Sequence, residues 1–169
     1  MKSIERVRSA LVAAGEGDVV IELPVSARTA QLAADALTQH YHVHVPVGAI
    51  VKSLVFLADA RPVLVLVAGD RRGDMRKIAA AMGAQAAAIA DAETVRAATG
   101  FAIGGVPPLG HPDGLPILID ESLGRFETVY AAAGHPNAVF PIAFRRLIEV
   151  TAGRPADVAG DERPKTKDA

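Results

Sequence analysis

Two apolar runs, Ile50-Val51-Lys52-Ser53-Leu54-Val55-Phe56-Leu57 and Val63-Leu64-Val65-Leu66-Val67, stand on either side of Asp59-Ala60-Arg61-Pro62. Both are short, rich in β-branched residues and separated by turn-forming ones, which predicts a β-hairpin. Strand alternation places Ile50, Lys52, Leu54 and Phe56 on one face and Val51, Ser53, Val55 and Leu57 on the other. Both faces are mostly apolar, so this is an interior strand. It carries one anomaly. A lysine in the middle of such a strand loses hydration, at a cost of several kcal/mol unless an anion or a water-filled pocket compensates. The plain alternative is a lysine near a strand end that snorkels to solvent.

Around this hairpin the chain reads as alternating helices and short strands. Ile4, Val7, Leu11 and Val12 form a helical stripe over 3–14 that ends at Gly15. Residues 19–23 read as a strand. Residues 29–38 read as a helix capped by Thr29, 74–82 as one capped by Asp74 and stopped by Gly83, and 91–99 as one capped by Asp91 and stopped by Gly100. Further strands are expected over 87–90, 117–120, 128–130 and 139–142, with a last helix carrying Phe144, Leu147 and Ile148. The alternation is irregular and includes a hairpin, so an α/β fold with a mixed sheet flanked by helices fits better than a doubly wound parallel one. One domain is expected over 1–160, followed by a disordered polar tail over 161–169.

Composition narrows the function. The 169 residues hold no cysteine, which excludes disulfides, thiolate nucleophiles and cysteine metal sites. The formal net charge is −1, which disfavours a long grip on duplex DNA but not contact with one short nucleic-acid end. No apolar run is long enough to span a bilayer, and the N-terminus lacks a signal-peptide core, so a cytoplasmic location without membrane partners is expected. Lysine is scarce: between Ser3 and Pro164 only Lys52 and Lys77 occur.

Lys52 is therefore the leading candidate for chemistry. The second is the loop Gly104-Gly105-Val106-Pro107-Pro108-Leu109-Gly110-His111-Pro112-Asp113-Gly114. Its glycines permit close backbone approach and can present N–H groups to an oxyanion, a carbonyl or a phosphate, while its prolines stiffen the turn. The plain alternative is a rigid turn. Gly134-His135-Pro136-Asn137 offers a second glycine turn. His40, His42 and His44 would share a face if extended, but no acidic residue adjoins them and no metal site is expected. Arg71-Arg72 with Arg76-Lys77, and Arg145-Arg146, are basic clusters that suit either a solvated surface or phosphate contact. No serine-hydrolase elbow and no outstanding pair of carboxylates is present.

Four segments in order resemble the YbaK/prolyl-tRNA-synthetase-associated domain family of aminoacyl-tRNA deacylases. They are Arg28-Thr29-Ala30-Gln31-Leu32-Ala33-Ala34, Ile50-Val51-Lys52-Ser53-Leu54-Val55-Phe56, Thr99-Gly100 through Gly104-Gly105-Val106-Pro107-Pro108-Leu109-Gly110, and Ile119-Asp120-Glu121-Ser122-Leu123. The resemblance covers roughly residues 20 to 155. It implies a mixed sheet partly rolled into a barrel with helices around it, and hydrolysis of the ester bond of a mischarged tRNA, typically a proline tRNA carrying alanine, cysteine or another small residue. Lys52 matches the family's functional lysine, and Gly104 and Pro108 match its Gly-x-x-x-Pro loop. Thr29, Gly105, Gly110, Gly134 and His135 are the corresponding substrate-binding positions. The stretch from Gln39 to Val47 is longer and richer in histidine than the family pattern, and Pro107 replaces a commonly small polar residue.

The implied partners are the acceptor end of aminoacyl-tRNA and prolyl-tRNA synthetase or another translation factor. No cofactor is implied. Two rivals stand beside this expectation: a non-catalytic module of the same fold that binds an anion, a nucleotide or a tRNA end, and a metal-dependent hydrolase using the histidines.

Overall fold

A computed structural model describes residues 2–161. Its centre is the expected hairpin. Strands β2 (Ile50–Ala58) and β3 (Arg61–Ala68) pair antiparallel from Val51–Ala68 to Ala58–Arg61. The turn is tighter than the sequence suggested. Only Asp59 and Ala60 lie outside the strands, and both have positive φ (47° and 69°), the geometry that matches a two-residue turn to the twist of its strands. Asp59 is held there because its carboxylate accepts from the backbone N–H groups of Gln85 and Ala86.

β3 explains why its run carries no polar residue. Leu64, Leu66 and Ala68 enter one core cluster while Val63, Val65 and Val67 enter another on the opposite face. The first cluster is closed by helices α1 (Ser3–Ala13), α4 (Ala92–Thr99) and α5 (Phe144–Thr151), which contribute Val7 and Leu11, Val95, and Leu147. The second is closed by Ile78 of helix α3 (Met75–Met82) with Val158 and Ala159. A third cluster lies under helix α2 (Ala30–Tyr41), where Ala33, Ala36 and Leu37 meet Ile50 and Val139.

The remaining strands are β1 (Ile21–Glu22), β4 (Arg71–Gly73), β5 (Ala87–Ile89), β6 (Ile117–Asp120), β7 (Thr128–Ala132), β8 (Ala138–Ala143), β9 (Arg154–Ala156) and β10 (Ala159–Asp161). The main sheet runs β1-β8-β7-β2-β3-β6-β9, with β5 paired to β2 off that path, and β10 pairs with β4 as a separate ribbon. Parallel pairs (β2–β7, β3–β6, β6–β9) mix with antiparallel ones, so the expected mixed α/β sheet with helices around it is what forms.

The helix boundaries follow their capping residues. Thr29, Asp74 and Asp91 each accept backbone N–H bonds in the first turn of α2, α3 and α4, and Gly83 and Gly100 end α3 and α4 in the left-handed conformation. Three expectations are corrected. The strand placed over 19–23 shrinks to Ile21–Glu22, paired with β8. The histidine segment is not extended: His40 lies in the last turn of α2, and His42 sits just past its end at φ 58°. Finally, Asp161, read as the first residue of the tail, is the last residue of β10, opposite Arg71. The rest of that tail, 162–169, lies outside the described residues.

Candidate active site

One edge of β2 follows β3, but the other is divided between two strands. Ile50 and Val51 run parallel to Tyr130 and Ala131 of β7, whereas Phe56 to Ala58 run antiparallel to β5. Between these pairings the strand edge is open, and there a cavity of ≈ 940 Å³ is lined by residues 50–55 together with Ile89 and Ala90, Tyr130 to Ala132, and the start of α2. The loop closes it with Ile103, Gly104 and Val106. Most of the lining is apolar. Among the described residues its charged members are Arg28, Lys52 and Asp70.

Lys52 is half-buried and does not snorkel to bulk water. Its Nζ donates to the backbone carbonyl of Arg71 in β4. A carbonyl oxygen accepts from the ammonium and orients it. Asp70, in the turn before β4, accepts from Arg125 at both carboxylate oxygens, at 3.0 and 2.7 Å. The Arg125 hydrogen bonds hold its carboxyl below the usual carboxylate range, outweighing partial burial. The turn can come this close only because residue 69 is glycine: a Cβ there would lie 2.2 Å from the Val47 carbonyl oxygen. Burial raises the Tyr130 phenol, so it stands in the cavity wall as a neutral group.

The opposite wall is held differently. Phe101 anchors the loop in the core, with the Arg6 guanidinium 4.2 Å above its ring and Arg6 Nη2 donating to the Gly100 carbonyl. His111 Nε2 lies 2.6 Å from the Pro107 carbonyl oxygen. Burial pulls the His111 pKa down, which favours the neutral ring; against a carbonyl, Nε2 then carries the proton and donates. Gly105 packs on the second glycine turn so closely that a Cβ would sit 2.7 Å from the His135 backbone nitrogen, and Gly134 N–H donates to the Gly105 carbonyl at 2.9 Å.

The structure therefore brings Lys52, Gly104 and Thr29 to one cavity. Gly105, Gly134 and His135 stand behind the loop and support it rather than lining the space. His135 is exposed, and its Nδ1 accepts from the Asn137 N–H. Pro108 is buried and Gly110 is exposed at φ 89°, both outside the lining. No group of three or more His, Asp or Glu residues suited to a metal occurs among the described residues.

Sequence reasoning missed three further features. Ser53 lines the cavity beside Lys52, and its buried Oγ has no hydrogen-bond partner among the described residues. A lone hydroxyl on an apolar strand face was a visible signal. Arg28 stands at the cavity rim. The Asp70–Arg125 pair joins positions 55 residues apart and has no local signature.

The model for the aminoacyl-tRNA editing domain matches residues 26–150. The chain belongs to this family. Among editing-domain relatives with solved structures, a candidate trans-editing enzyme for prolyl tRNA synthetase superposes with a TM-score of 0.82 at 41% identity, covering 96% of this chain and 99% of that one. The Bacillus subtilis (strain 168) protein YwhH is 30% identical over 148 residues, 87% of this chain and 90% of its own. EbsC of Enterococcus faecalis, a proposed Cys-tRNA(Pro)/Cys-tRNA(Cys) deacylase, is 25% identical over 116 residues, 68% of this chain and 71% of its own.

Proposed function

We propose that this editing domain is an aminoacyl-tRNA deacylase. It hydrolyses the ester between a small amino acid, such as alanine or cysteine, and the terminal ribose of a proline tRNA. Prolyl-tRNA synthetase is the protein partner this reading implies. The observation that carries it is Lys52: a held ammonium in a largely apolar cavity, facing a glycine loop across the space.

An aminoacyl ester is activated, so catalysis needs mainly orientation and stabilisation of the tetrahedral oxyanion. Water attacks the carbonyl carbon, charge builds on the former carbonyl oxygen, and the ribose oxygen leaves with a proton. The Lys52 ammonium supplies positive charge for that oxygen or for the terminal phosphate. The loop beginning at Gly104 is suited to add backbone N–H donors. Among the described residues no histidine lines the cavity, and Asp70, the carboxylate there, is engaged by Arg125. The proton of the attacking water is therefore relayed through the neighbouring hydroxyl of the terminal ribose, which takes it up while passing its own proton to the departing ribose oxygen, rather than being held by a side-chain base.

The test is single-turnover hydrolysis of charged proline tRNAs by wild type and Lys52→Ala, with circular dichroism as the folding control. Loss of about a hundredfold or more is expected, comparable to deleting one strong transition-state contact. Lys52→Arg should fail largely as well, because a planar fork does not replace a compact ammonium. A folded Lys52→Ala protein that keeps most of its activity would remove the central residue of this reading. A wild type that binds charged tRNA without turnover would make the fold a binding module.

A further inference from the structure

The ribbon of β4 and β10 crosses the face of β2 that carries Lys52 and Phe56. Gly73 lies against the Phe56 ring, where a Cβ would be 2.7 Å from Cζ, and the Arg71 carbonyl receives the Lys52 ammonium. The register fixes which way that carbonyl points. Asp74 N–H donates to the Val158 carbonyl at 2.9 Å, and the ladder pairs Gly73 with Ala159, Arg72 with Gly160 and Arg71 with Asp161. In an antiparallel pair, alternate residues exchange hydrogen bonds. Asp74 and Arg72 therefore bond across to β10, whereas the Arg71 carbonyl turns the other way, toward Lys52.

β10 is itself secured from the core. Val158 N–H donates at 3.0 Å to Oδ1 of Asp120, a carboxylate only 3% exposed, whose Oδ2 accepts from Ser122. Lys77 Nζ donates to the Ala159 carbonyl at 2.8 Å and to Asp157 at 2.9 Å. Arg72 Nε donates to the Asp161 carbonyl, and Arg71 Nη1 to its side chain. A three-residue strand with this many ties holds one carbonyl oxygen at a fixed point over the sheet.

We infer that the β4–β10 ribbon, pinned to the core through Asp120 and Val158, is the positioning device for Lys52. This inference rests on the reading in which Lys52 acts on the substrate. Residues 159–161 do not line the cavity; they fix the carbonyl that aims the ammonium. A tethered charge that is misplaced by about an ångström loses much of its effect on a transition state while binding persists.

Gly160 is the place to test it, since the register directs its N–H to the Arg72 carbonyl. Gly160→Pro deletes that donor. Gly160→Ala keeps it and has room, the nearest atom to the new Cβ being Asp74 Oδ2 at 3.6 Å. Two readouts are compared: steady-state deacylation, and proton exchange at the lysine Nζ in protein labelled with 15N-lysine, the Lys52 signal being assigned by its loss in Lys52→Arg. The proline variant should lower kcat about tenfold with KM within about twofold, and should speed exchange at Lys52 Nζ. The alanine variant should match wild type in both. A folded proline variant with unchanged kcat, or unchanged exchange at Lys52, overturns the inference, and so does an alanine variant that loses as much as the proline one. If the proline variant does not fold, the wild-type spectrum decides: Lys52 protons exchanging as fast as those of exposed Lys2 overturn it, and slower exchange supports it. Should wild type hydrolyse no charged tRNA while the exchange contrast holds, the ribbon's hold on Lys52 stands and the deacylase reading falls.

Discussion

The two walls of the cavity are built by opposite means. On the sheet side, β2 is fixed by its full-length ladder with β3, and the acceptor of its lysine belongs to a second ladder, β4 with β10. On the loop side, position comes from side chains and close packing: Arg6 on Phe101, His111 on Pro107, Gly105 against the Gly134 turn. A ladder consumes the amide groups of its strands and sets a side chain's location tightly. A loop held by side chains keeps amide groups in reserve for a ligand. The charge sits on the first kind of wall and the candidate N–H donors on the second, an arrangement that the proposed oxyanion stabilisation can use.

Three substitutions strain this contrast, beyond the loss of Lys52 itself. The largest effect is expected from Gly105→Ala. Its Cβ would meet the backbone of His135 at 2.7 Å, and backbone cannot swing aside, so the loop must move off its support. We expect deacylation to fall about tenfold and stability by about 1–3 kcal/mol, read by single-turnover assay and thermal melting. If activity survives while the melting temperature drops, the loop wall does not contribute to the reaction.

His111 gives a pH signature to the loop wall alone. Its folded pKa is depressed, chiefly by burial, so below the ordinary histidine pKa of about 6.5 the unfolded chain takes up a proton that the native chain resists. Stability contributed by the neutral ring is therefore full above that value and is lost as the pH falls through the lower, folded one. Melting curves of wild type and His111→Gln from about pH 8 to pH 5 should diverge, with the wild type losing more on acidification. Parallel curves would remove His111 from the account of the loop.

The smallest effect belongs to the sheet wall. Ala60 occupies the left-handed region at φ 69° in the β2–β3 turn, where glycine carries no Cβ penalty. Ala60→Gly should raise stability by about 0.5–1 kcal/mol and leave catalysis unchanged, as thermal melting and the deacylation assay would show.

What the sequence revealed and what it hid divide along similar lines. Helix starts at Thr29, Asp74 and Asp91 were legible because a cap is a local bond between a side chain and an amide two or three residues on. Lys52 was legible because a charge on a strand apolar on both faces is an anomaly that needs no partner to be noticed. The ribbon was not legible: Arg71-Arg72-Gly73 and Ala159-Gly160-Asp161 have no hydrophobic period, and they lie about ninety positions apart. The cavity was hidden for a related reason. It arises where two strands diverge along one edge of β2, a property of pairing rather than of any residue. The placement of His40 and His42 was not legible because α2 continues to Tyr41, past the end that the apolar stripe suggested. At Gly134 the sequence showed a glycine turn but not the close approach behind it, a Cβ there lying only 2.7 Å from the Ser3 carbonyl oxygen of α1.

The tight β2–β3 turn also bears on how the site is assembled in time. A two-residue closure carries little loop entropy, so this hairpin can form among the earliest contacts of the chain. An early hairpin would precede its lysine's fixed acceptor, because β4 cannot pair with β10 until residues 159–161 have been synthesised. A nascent chain paused between those points would present a formed hairpin with an unaimed ammonium, and synthesis itself would delay the assembly of the site until residues 159–161 have emerged.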